Sequence, residues 1–86
     1  VSDSEHGPRA VVEVLTKALV DRPDVVQVTE SHGKNGVVIA VTVPPAEIGR
    51  VLGRQGRTAA ALRTLAAAAG EKDGTTVTVD IREARA

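Results

Sequence analysis

Apolar residues recur along the chain in several rhythms, each marking a different element. Over residues 8–21, Val11, Val12, Leu15, Ala18 and Leu19 fall at three- and four-residue steps, with Glu13 and Lys17 four apart on another face. This spacing predicts an amphipathic helix. Pro8 suits its first turn, and Pro23 drives Arg22 out of helical geometry at its end. Residues 25–30 and 37–43 are β-branched runs separated by Ser31-His32-Gly33-Lys34-Asn35-Gly36, whose Asn-Gly pair favours the positive φ of a tight hairpin. Val37, Ile39, Val41 and Val43 share one face of the second run, and Val38, Ala40 and Thr42 share the other.

Pro44 and Pro45 end that strand and open a short helix reaching Leu52, with Glu47 near the positive end of its dipole. Gly53-Arg54-Gln55-Gly56 interrupts it. An alanine-rich segment of high helix propensity follows over residues 57–69, and Gly70 is its expected left-handed stop. After an Asp73-Gly74 turn, residues 75–81 alternate strictly, with Val77, Val79 and Ile81 on one face and Thr76, Thr78 and Asp80 on the other. The order is helix, strand, strand, helix, helix, strand: a two-layer α+β domain over residues 8–82, a three-stranded sheet with all helices on its apolar face. Residues 1–7 and 83–86 are expected as flexible ends.

Composition narrows the chemistry. The 86 residues suffice for one core, and 23 of them are Leu, Ile or Val, enough for a folded domain. With no Phe, Tyr or Trp, recognition by stacking bases or capping cations on aromatic rings is excluded. With no Cys, and with His6 and His32 in separate polar, glycine-flanked stretches, no metal site and no cofactor is expected. No apolar run approaches a membrane span or a signal peptide, so the chain reads as cytoplasmic. Net charge is zero, yet residues 44–70 hold Arg50, Arg54, Arg57 and Arg63 against Glu47 alone, an excess of +3 offset by −3 elsewhere.

That excess is centred on Gly53–Gly56, at the start of a helix whose first amides lack intrahelical partners and whose dipole favours an anion. Two glycines three apart allow a sharp turn and a close approach to a ligand. The physical reading is a cradle for backbone phosphate. A nucleotide P-loop fails because the Lys is missing and a helix, not a strand, precedes the loop; a dinucleotide fingerprint fails because Val51 stands two before Gly53. The bland alternative is a helix–loop–helix corner with solvated arginines.

Val51-Leu52-Gly53-Arg54-Gln55-Gly56 resembles the GXXG loop with which KH domains grip four nucleotides, and the element order resembles the type II, bacterial KH fold. More narrowly, residues 17–24 (KALVDRPD) and 48–59 (IGRVLGRQGRTA), followed by Leu62-Arg63-Thr64-Leu65, resemble the small bacterial single-KH proteins of the KhpA family. The likeness spans about residues 8–82. It implies a single-stranded RNA-binding protein, an RNA chaperone or post-transcriptional regulator that acts with a second KH protein, KhpB, and is linked in some bacteria to cell elongation and envelope homeostasis. The expected RNA-binding residues are Gly53, Arg54, Gln55, Gly56, Arg57, Arg50, Val51 and Leu52. The wider KH pattern often has a bulky aliphatic residue three after the second glycine; here it is Ala59.

The same residues leave two readings open. Ile48, Val51 and Leu52 suit either a groove floor beneath bases or the core. Arg63, Arg82 and Arg85 are expected to be solvated. Asp80 and Glu83 lack a nucleophile, metal or apolar pocket beside them, so no enzyme and no small-molecule substrate is expected. The alternative to an RNA-binding module is an interaction domain, a homodimer or a complex with a KH-containing partner that does most of the RNA binding, served by the small side chains of the alanine-rich helix.

Overall fold

The computed structural model describes residues 7–84 and runs α1 (Pro8–Leu19), β1 (Gln27–Gly33), β2 (Gly36–Val43), α2 (Pro45–Leu52), α3 (Arg57–Glu71) and β3 (Val77–Glu83). The mixed α+β order is the expected one. α1 starts on Pro8, where the missing amide is no loss, and ends at Leu19, two residues before the expected boundary. It ends there because Val20 turns to extended geometry and puts its side chain in the core. On its surface Glu13 lies between Arg9 and Lys17; the hydrogen bond from Lys17 is the main cause that holds its carboxyl below the usual range.

β1 begins at Gln27 and not at residue 25, because residues 23–25 close a 3-10 turn in which the Val25 and Val26 amides donate to the Arg22 and Pro23 carbonyls. Its ladder with β2 runs on to the Gly33–Gly36 pair, leaving only Lys34 and Asn35 in the turn. His32 is therefore a strand residue opposite Val37, its Nε2 2.7 Å from Glu30 Oε2, and not the loop residue expected; His6 lies outside the described residues. The positive φ falls on Gly36, at 119°, and not on Asn35.

The sheet order is β1-β2-β3, with β1 antiparallel and β3 parallel to β2. Parallel neighbours need a crossover, and the α2–α3 segment supplies it. Val37, Ile39 and Val41 stand opposite Val77, Val79 and Ile81 on the inner face, which α1, α2 and α3 cover with Val12, Val51, Leu62 and Ala66. Thr16 also faces this core: it is fully buried and its hydroxyl has no hydrogen-bond partner among the described residues.

Gly70 is not a left-handed stop. α3 continues through it to Glu71, and Gly70 is buried where a Cβ would overlap Val77 Cγ2, while its carbonyl accepts the Thr75 amide at 2.9 Å. The left-handed glycine is Gly74, with φ 69°. Thr75 is thus held by α3, and β3 lies two residues later than the alternation suggested, ending on Glu83 opposite Val43. Glu83, expected in a loose end, is the last residue of β3, and the Ala84 amide donates to the Val43 carbonyl at 2.7 Å. Residues 1–6 and 85–86 lie outside the described residues. No helix of the structure is long and apolar enough to cross a membrane, and among the described residues no three His, Asp or Glu side chains group as a metal site.

Candidate nucleic-acid interface

α2 lies between two conformational constraints. Pro44 and Pro45 fix its start, and its last turn is closed by the Gly53 amide donating to the Gly49 carbonyl at 2.9 Å. The chain then leaves α2 through Gly53 (φ 74°, ψ 174°), passes Gln55 (φ 56°, ψ 26°) and enters α3 through Gly56 (φ 74°, ψ 13°). Three of four consecutive residues therefore have positive φ, one of them a glutamine. Strain on a non-glycine residue persists only where its surroundings impose it.

Gly53 is irreplaceable for a second reason: a Cβ there would overlap the Thr58 side chain, which packs beneath the loop. Gly56 has open space around it, and its left-handed φ alone favours glycine. The Gly56 amide turns inward to the Gly53 carbonyl at 3.1 Å, whereas the Arg54 and Gln55 amides have no backbone partner among the described residues. Helical Arg54 followed by left-handed Gln55 forms the kind of concave amide nest that accepts an anionic oxygen. These are the two amides that the cradle expected at the loop would use.

The side chains divide. Arg54 and Gln55 are exposed at the tip, and Arg54 makes no ion pair among the described residues. Arg57 is exposed beside them, its Nη2 donating to Gln55 Oε1 at 3.3 Å. Arg50 is engaged elsewhere: its Nη2 lies 2.9 Å from Asp21 Oδ2 and its Nε 3.3 Å from Glu47 Oε1. Leu52 is 37% exposed next to Gly53, and Ile48 is partly buried against the core. Val51 was expected at the ligand, but it is 0% exposed and has no surface to offer; it anchors α2 on the sheet. Ala59 is likewise buried.

Arg63 is exposed, as expected, and reaches the free edge of β3. The Val37 amide donates to Thr76 O and the Ala84 amide to Val43 O, so in the parallel ladder the even-numbered residues of β3 face β2. Val77, Val79 and Ile81 therefore turn their amides and carbonyls to the free edge, where Arg63 Nε donates to the Val79 carbonyl at 3.4 Å. Arg82 is paired with Asp80 at 2.6 Å, and Arg85 lies outside the described residues.

Glu47 does more than the sequence marked it for. It is 6% exposed, and its Oε2 accepts the Arg22 amide at 3.0 Å while Oε1 meets Arg50. Its three-residue spacing from Arg50 was the available signal; its placement near the helix start suggested only a dipole role.

Comparison with known proteins finds likeness along most of the chain. The family model for the KH domain of KhpA/KhpB matches residues 9–81. A protein of Aquifex aeolicus named RNA-binding protein KhpA is 51% identical over 73 residues, covering 85% of this chain and 92% of that protein. Its namesake in Caldanaerobacter subterraneus is 46% identical over 71 residues, or 83% and 95% of the two chains. That of Streptomyces coelicolor is 43% identical over 74 residues, or 86% and 94%. With its GXXG corner, its three-stranded sheet and likeness along most of its length, the chain belongs to the KhpA/KhpB family of KH domains.

Proposed function

We propose that this protein binds single-stranded RNA through the Gly53–Gly56 loop, with Arg54, Gln55 and Arg57 flanking the backbone cradle and Leu52 beside it. The observation that carries the reading is the pair of amides at Arg54 and Gln55, without a partner among the described residues, held open by positive φ at Gln55 and beside two exposed arginines. The name shared by the relatives, RNA-binding protein, supports the choice of ligand. No catalytic step is assigned to it. As a small RNA binder it would serve as an RNA chaperone or post-transcriptional regulator in the cytoplasm, with effects on cell elongation and the envelope following from its RNA targets.

A second reading has its own support. Leu15, Ala18 and Leu19 of α1 and Ala61, Leu62 and Leu65 of α3 line an apolar groove on the helical face, with Leu65 48% exposed. This surface favours association with a second KH domain, either another copy or a KhpB partner. Two weak RNA sites joined in this way gain effective concentration, which a loop without aromatic stacking needs.

Titration of a short unstructured RNA at several salt concentrations tests the first reading. Dissociation constants in the micromolar range, with a slope of log K against log salt of about −1.4 to −2.1 for two or three phosphates, are expected. No binding at low salt contradicts it. A Leu65→Glu variant that leaves both self-association and partner binding unchanged contradicts the second reading.

A further inference from the structure

We infer that Glu47 is a positioning residue for the phosphate loop, acting through Arg50 and the α1–β1 connection; the inference rests on the RNA reading of that loop. One carboxylate makes two different contacts: Oε2 takes the Arg22 amide at 3.0 Å, and Oε1 takes Arg50 Nε at 3.3 Å. Arg50 in turn reaches Asp21 at 2.9 Å, so residues 21 and 22 are tied to α2 by a closed set of contacts. Arg50 stands three residues before Gly53, in the turn closed by the Gly53 amide on the Gly49 carbonyl. Anchoring that turn fixes the direction in which the loop leaves α2, and with it where the Arg54 and Gln55 amides point. An anion site tolerates displacements of only about 0.5 Å before its contacts loosen.

The two acids on Arg50 are not equivalent. Asp21 is exposed, its side chain at 68%, so its contact is screened by water. The Glu47 side chain is at 8% and holds a backbone amide as well, which makes it the fixed end of the arrangement. Glutamine at this position keeps an acceptor for Arg22 but turns an NH2 group toward Arg50, donor against donor.

This separates positioning from charge by sign. Removing a negative charge near a phosphate site strengthens RNA binding if charge alone matters, and freeing Arg50 acts in the same direction. Positioning demands the opposite. The experiment measures fluorescence polarisation of a labelled short unstructured RNA with the wild type, Glu47→Gln, Asp21→Asn and Arg50→Lys, together with thermal unfolding and amide NMR spectra of the RNA-free proteins. Glu47→Gln and Arg50→Lys are each expected to weaken binding about three- to tenfold, the scale of one ordinary hydrogen bond, because the effect reaches the RNA only through the placement of the loop, with the salt slope unchanged. Arg50→Lys is informative because it keeps the charge and loses the fork that spans two acids. Asp21→Asn is expected to stay within about twofold, as for an exposed pair. The Arg54 and Gln55 amide resonances should shift in Glu47→Gln and hold in Asp21→Asn. Binding by folded Glu47→Gln as tight as wild type or tighter overturns the inference, as does unchanged binding by Arg50→Lys, which alone decides should Glu47→Gln fail to fold. Absence of binding by the wild type overturns the RNA reading and this inference with it, whereas wild-type binding that ignores Glu47 and Arg50 overturns this inference alone.

Discussion

The β1–β2 hairpin and the α2–α3 corner both reverse the chain between two glycines, and both carry basic side chains at the tip. At the hairpin, Gly33 and Gly36 close the ladder around Lys34 and Asn35, and positive φ is confined to Gly36. At the corner, Gly53, Gln55 and Gly56 all have positive φ, and the strain extends to a glutamine. Arg57 reaches back to the Gln55 side chain, and Thr58 fills the space under Gly53. A chain reversal does not need a left-handed glutamine, as the hairpin demonstrates. The corner keeps one where it opens two amides beside the exposed Arg54 and Arg57, and that combination suits an anion rather than a turn.

The sharpest way to break this comparison is to substitute the glycines. Gly53→Val forces a β-branched side chain into positive φ and onto Thr58, and is expected to lower stability by about 2–4 kcal/mol and to abolish RNA binding. Gly56→Ala meets open space and pays only for its backbone angle, about 1–2 kcal/mol. Urea unfolding of the two variants ranks them, and equal losses would mean that the support from Thr58 is immaterial.

The hairpin supplies the control of next largest effect. A Cβ on Gly36 would overlap the Thr76 carbonyl, so Gly36→Ala should lose about 1–3 kcal/mol of stability, while the folded fraction binds RNA as the wild type does. Loss of RNA affinity in the folded variant would erase the functional distinction between the turns. The smallest effect is expected at Gln55. Gln55→Gly relieves the left-handed strain, offset by the entropy of glycine, for a net gain of no more than about 1 kcal/mol in thermal unfolding. RNA binding should nevertheless weaken, because the contact from Arg57 is lost and the amide nest is less rigid.

These expectations also mark how far the sequence alone could be followed. Element order, the inner faces of β2 and β3, and the loop at Gly53–Gly56 were legible because each is written in local periodicity or in glycine spacing. Gly70 misled because a glycine near a helix end reads as a stop, whereas here it admits Val77 against the helix. Pro23 marked the end of α1 but concealed the 3-10 turn that delays β1. Val51 has the same apolar character as Leu52, and only the packing of α2 on the sheet decides which is sealed and which is exposed. Glu47 was not legible as a fixed point, since its partner amide at Arg22 is 25 residues away and carries no side-chain signal. Arg50 counted as a free charge for the same reason: Asp21 is distant in sequence and adjacent in space. Contacts between elements, not the elements themselves, are what the local pattern withholds.

The central claim, that the exposed loop tip and not a diffuse basic surface grips the ligand, is tested most directly by the double substitution Arg54→Asp with Gln55→Asp. Both side chains are exposed, so the change adds repulsion at the amide nest without opening a cavity. Gel shift with a short unstructured RNA, run beside circular dichroism, should give a folded protein with no detectable RNA binding. A folded double variant that retains wild-type affinity would contradict the account.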